Sequence, residues 1–164
     1  MKRLSIAFTV VLCCGFVSTS MAQKEKAPYK AMYTSSFKIG SDAQSLIVLN
    51  LWKDWDDNQF DKHDYFADTI KLWLADSMVI TGKAAAKEGA KKYRGAMASC
   101  KSVIHAWVPL HSTDKGDDMV CIWGTETDTY PDGKTEVKDL HEVWWFNKDG
   151  KVSMMRQWAA KFGQ

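Results

Sequence analysis

The sequence predicts an α+β fold, a few helices packed on a strongly curved sheet. Two observations predict it. In the first half of the chain apolar residues recur at helical spacing. From Cys100 onward they alternate along four strand-length runs separated by turn residues. Helices followed by an antiparallel meander is the α+β order, and 164 residues suit one domain around one core.

The elements follow in chain order. Lys2 and Arg3 precede an apolar run from Leu4 to Val17, and Ser20-Met21-Ala22 sets small residues where a signal peptidase cuts. Residues 1–22 therefore read as a secretory signal cleaved before Gln23, and the protein is expected to be exported, periplasmic or secreted. The run is shorter than the roughly 20 apolar residues that span a bilayer. Val11, Leu12 and Cys13 ahead of Cys14 lack the small residue that lipid attachment prefers. Residues 23–40 are polar and read as a linker.

Ser41-Asp42 starts a helix whose stripe is Leu46, Ile47, Leu49, Leu51, Trp52 and Trp55. A short second helix is expected over Lys62 to Ala67, with Tyr65 and Phe66 inward. Residues 69–80 form a strand pair around Ala75-Asp76-Ser77. Lys83 to Ala98 returns to helix, with Ala86, Ala90, Tyr93 and Met97 on one side. Strands are expected over 101–112, 119–129, 134–146 and 152–161, separated by Asp114–Asp117, Pro131-Asp132-Gly133 and Asn147–Gly150.

Charge and cysteine content exclude several classes. Loss of the signal removes Lys2 and Arg3, so the formal charge falls from +2 to zero and no basic stripe is left for nucleic acid. Cys100 and Cys121 sit well apart along a hairpin and are expected as free thiols. No C-x-x-C motif or zinc-spaced Cys/His cluster is present, so neither a metal nor a cofactor is implied.

Tyr65-Phe66-Ala67-Asp68 before the first strand, Thr81-Gly82-Lys83 opening a helix, Pro131-Asp132-Gly133, and the ending LHEVWWFNKDGKVSMMRQW at 140–158 occur in a telling order. In this the chain resembles the nuclear transport factor 2-like superfamily, and within it the SnoaL-like and ketosteroid-isomerase-like proteins. The resemblance implies a cone-shaped domain over 41–164, three N-terminal-half helices on a curved mixed or antiparallel sheet, with a pocket inside the curve.

The turns sort the faces of the strands. A two-residue turn at Asp132-Gly133 pairs Thr125 with Leu140 and Trp123 with Glu142. One face then carries Val108, Trp123, Thr125, Thr127, Leu140, Glu142, Trp144, Met155 and Gln157. The resemblance makes this the concave face, where Trp52, Trp55 and Leu74 join it. Such a wall suits a small apolar or aromatic molecule. The other face carries Trp107, His141, Val143, Trp145, Arg156 and Trp158. So much aromatic surface implies a homodimer through the convex sheet face.

Glu142 is the sharpest chemical candidate. A carboxyl among tryptophans loses hydration and holds its proton more tightly, which suits a general acid or a neutral oxyanion donor. In the ketosteroid isomerase template Glu142 aligns with the protonated acid. The helical tyrosine of that template aligns with Leu51 and its base with Leu74. Asp76, two residues on, is the substitute candidate. The epoxide-hydrolase set aligns with Trp123, Thr125 and Gln157, which cannot perform that chemistry. Three readings stay open: a small-molecule-binding domain, an acid–base enzyme (isomerase, dehydratase or cyclase) using Glu142, and a dimerisation or partner-docking module.

Overall fold

A computed structural model of the chain describes residues 28–33 and 36–161. The expected signal, 1–22, and the start of the linker lie outside the described residues. The chain divides into two units, 1–30 and 31–164. Of the first only 28–30 are described, all exposed; every described helix and strand belongs to the second.

The elements are β1 (Phe37–Ile39), α1 (Asp42–Asp56), β2 (Phe66–Trp73), β3 (Val79–Thr81), α2 (Lys83–Gly95), β4 (Ser99–Ser112), β5 (Asp118–Thr129), β6 (Thr135–Phe146) and β7 (Val152–Lys161). One seven-stranded sheet runs β1-β4-β5-β6-β7-β2-β3. Its pairs are antiparallel except β2 beside β7, so the sheet is mixed.

Ser41 caps α1, its hydroxyl accepting the Ala43 N–H at 3.2 Å. The helix buries Val48, Leu51 and Trp52 against Ile70, Ile122, Leu140 and Trp144. Arg94 of α2 binds the other end of α1. Its guanidinium is buried and donates to the carbonyls of Trp55 (2.7 Å) and Asp56 (2.9 Å). A cation at the negative end of a helix satisfies carbonyls that the helix cannot. This turns Arg94 inward and leaves Tyr93 54% exposed, although the sequence pattern set Tyr93 on the same side as Ala86 and Met97, which are buried.

Three expectations are corrected. The second helix does not form: Phe66 enters β2 opposite Val152, and Tyr65 accepts the Val152 N–H at 2.8 Å. Six residues repay helix nucleation poorly, and pairing with β7 satisfies the same backbone. The linker is not wholly unstructured, because Phe37–Ile39 pairs with Leu110–Ser112. The turn between β5 and β6 has three residues, not two. Tyr130 N–H bonds to Lys134 O at 2.9 Å, and Gly133 takes φ +81°. The register therefore shifts by one: Ile122 faces Glu142, and Trp123 faces His141. A one-residue slip carries a whole strand to the other face.

An irregularity between Ile104 and Ala106 adds a residue to β4. Beside it Gly124 lets two backbones meet. A Cβ there would stand 2.5 Å from the Val103 carbonyl oxygen and 3.2 Å from the Trp52 ring. Gly124→Ala is expected to cost roughly 2–3 kcal/mol of stability through overpacking. Urea denaturation measures it, and an unchanged midpoint would refute the close approach.

Candidate functional site

The side chain of Glu142 lies in the middle of the concave face, 4% exposed. Its Oε2 accepts the indole N–H of Trp52 from α1 at 2.8 Å and that of Trp144 from its own strand at 2.9 Å. Its Oε1 accepts the Gln157 amide of β7 at 2.8 Å. Gln157 in turn takes the Ala75 N–H on its carbonyl at 3.4 Å. Ile122, Leu140 and Met155 close the shell. Burial pushes the Glu142 pKa up to about 7, against the downward pull of Gln157, Trp52 and Trp144. All three donors are neutral, so the carboxyl can hold or release its proton without breaking an ion pair.

The structure brings together Trp52, Glu142, Trp144, Met155 and Gln157 as one wall. Leu74 packs at its margin, half-buried. Trp55 stacks on Tyr93, 6.1 Å between ring centres, and adjoins Glu126 rather than Glu142. Val108, Trp123, Thr125 and Thr127 stand on the opposite face, carried there by the three-residue turn. Asp76 is exposed and accepts the N–H of Met78 in its own turn at 2.9 Å, which is the part of a turn residue.

Of the residues expected on the convex face, His141, Val143, Trp145, Arg156 and Trp158 share it, in register with β5 and β7. Tyr33 reaches Asp117 at 2.9 Å and lies against Trp145, so the chain's own leading segment meets that end of the face. Trp107 does not belong with them. It pairs with Ile122, so the three-residue turn that moved β5 carries it into the row of Glu142, 49% exposed.

Beyond Gly124 the concave face turns ionic. Glu126 and Asp128 are both buried, with Lys138 Nζ at 3.1 Å and 2.6 Å. Burial and the charge of Asp128 raise the Glu126 pKa. Burial alone would lower the Lys138 ammonium, but the bond to Asp128 and the charge of Glu126 hold it up. Cys100 joins the same cluster, close enough to share a metal ion with the two acids. The cation seated between those acids is the lysine. Burial pushes the Cys100 thiol far up, so it stays protonated and unreactive. Both Cys100 and Cys121 are free thiols. The sequence reading missed this cluster because the two-residue turn sent Glu126 outward. Pro-Asp-Gly, with glycine third, was the signal for the longer turn.

No family model and no curated protein matches the sequence. Solved structures do match the fold. A nuclear transport factor 2-like protein of unknown function from Exiguobacterium sp. 255-15 is 18% identical. It covers 69% of this chain and 97% of its own, with a TM-score of 0.57. A provisionally assigned SnoaL-like polyketide cyclase from Shewanella denitrificans OS-217 is 9% identical. It covers 73% of this chain and 92% of its own, TM-score 0.58. An epoxide hydrolase/cyclase-like enzyme of pyran ring formation in the polyether salinomycin is 16% identical, covering 72% and 91%, TM-score 0.56. The chain thus has the nuclear transport factor 2-like fold, two helices on a mixed seven-stranded sheet.

The raised Glu142 pKa has a thermodynamic consequence. The folded carboxyl binds its proton more tightly than the unfolded one. Its contribution is full below about pH 4.5 and is lost as pH rises through 7. Between about pH 5 and pH 8 wild type should lose about 2–3 kcal/mol from this group, and Glu142→Gln should not. Denaturant melts of both proteins at the two pH values measure the difference. Parallel pH dependence would mean that Glu142 titrates normally.

Proposed function

We propose that the chain is an exported small-molecule-binding protein of the SnoaL-like type. The ligand is a small apolar or aromatic molecule held between α1 and the concave face, with Glu142 as its polar anchor. The observation that carries this reading is the Glu142 carboxyl itself, buried among two indoles, an amide and aliphatic side chains, and ionisable near neutral pH. A structural ion pair would supply a cation; here every partner is neutral. Entry is assigned to the Gln157 side, where Leu74 and Ile104 are only half-buried and Ala75 is exposed. The opposite end is filled by Lys138, Glu126 and Asp128.

An acid–base reaction at the same carboxyl is the second reading. It is favoured by a pKa near 7, the range in which a carboxyl delivers a proton at neutral pH. The enzyme of pyran ring formation that shares the fold makes cyclisation the first chemistry to examine. Asp76 is not the partner base in this reading; a water admitted with the substrate is.

Binding is tested with Nile red, an uncharged apolar fluorophore. Wild type should bind it saturably with a blue shift. Leu74→Trp, which fills the margin, should weaken binding roughly tenfold, as lost access to one apolar site does. Equal binding by the two proteins would sink the reading. Native mass spectrometry of protein purified without denaturation then looks for a co-purified molecule. If that molecule is turned over by wild type and by Glu142→Gln at one rate, the enzyme reading fails.

A further inference from the structure

A row of exposed aromatic rings lies on the face opposite Glu142. Trp123, His141 and Trp158 stand in register on β5, β6 and β7, and adjacent ring centres are 5.5 Å apart. Two residues along the strands a second row runs Thr125, Asp139 and Ala160. Between the rows the floor is Gly124, Leu140 and Ala159, which turn their side chains inward or have none. The rows are about 7 Å apart along the backbone. They enclose an open slot of about 510 Å³, with His105 at its end.

The polar wall has a fixed hydrogen-bond sense. Thr125 Oγ1 is 2.8 Å from Asp139 Oδ1 and 3.0 Å from His105 Nε2. A carboxylate only accepts, so the hydroxyl donates to Asp139 and accepts from His105 Nε2–H. In neutral His105 that leaves Nδ1 as an acceptor. Among the described residues Thr125 is the only hydrogen-bond donor to Asp139, which leaves Oδ2 for an incoming donor. The wall therefore asks for N–H groups, and the aromatic row across from it attracts positive charge through its ring faces. Arg156 sits over the Trp158 ring, 5.2 Å from its centre, but two residues along β7 on the side away from Asp139. The slot's own fixed charge is the carboxylate.

We propose that this slot binds a small organic cation, a primary amine carried on an aromatic or similarly flat apolar body. The amine bonds Asp139 Oδ2, and the apolar body lies along Trp123, His141 and Trp158. A second copy of the chain seated on the same row is the competing occupant.

The test is calorimetric titration of the intact protein with 2-phenylethylamine, 2-phenylethanol and 3-phenylpropionate at neutral pH. The amine should bind tightest, and Asp139→Asn should weaken it roughly tenfold, the worth of one charge-assisted hydrogen bond. The alcohol should be unaffected by that change. Ala160→Phe, which fills the slot from its exposed rim, should abolish binding of the amine and guards against a misfolded Asp139 variant. Equal affinity for the three compounds, no saturation below about 10 mM amine, or indifference to both substitutions would overturn the proposal. So would sedimentation showing a dimer that Trp158→Ala dissociates and the amine does not.

Discussion

The hydrogen bond from the Trp52 indole to Glu142 is the constraint from which the rest of the domain can be derived. It ties a helix to the middle of the sheet at one carboxylate oxygen. The indole reaches that depth because Gly124 beneath it has no side chain, so the helix settles against bare backbone where β4 bulges. Trp144 and Gln157 complete the carboxyl from the same strand and the next. Three elements are thus fixed by one group. Any one donor lost would leave a buried acceptor short, which costs more than a typical bond contributes.

The concave face is divided chemically. Its middle is apolar with a single titratable acid; its far end is an ion cluster of two acids and one lysine, overlaid by Trp55 and closed by the Arg94 clasp on the end of α1. The two regions are electrostatically linked, since the Glu126 charge adds to the rise in the Glu142 pKa. In the proposed binding reading the division leaves the apolar end for the ligand. Desolvated charges packed on one another gain nothing from an apolar guest.

Much of this was legible beforehand, for identifiable reasons. The faces of β6 and β7 follow from alternation alone, so Leu140, Glu142, Trp144, Met155 and Gln157 were placed together correctly. β5 was inverted by a single residue of turn length, which moved Trp123, Thr125 and Thr127 outward and brought Glu126 and Asp128 in. Trp107 pairs with Ile122 and so moved with β5, whereas the bulge at His105, which no glycine or proline announces, re-phases only the residues before it. Arg94 was hidden differently. Its role depends on where another helix ends, and helical spacing says nothing of that. The short segment before Phe66 looked helical by composition, while its actual partner lies near the other end of the chain.

That partner imposes an order of events. Among the described residues, apart from three-residue β3, the only neighbour of β2 is β7, joined Phe66 to Val152 and Trp73 to Arg156. The chain between them must therefore be brought round before the early strand has a place to rest. Until then Phe66, Ile70 and Leu72 have no sheet to bury against. Closing so long a loop slows folding more than it weakens the folded state. The one parallel pair among the described strands thus ties the seating of β2 to a strand far along the chain.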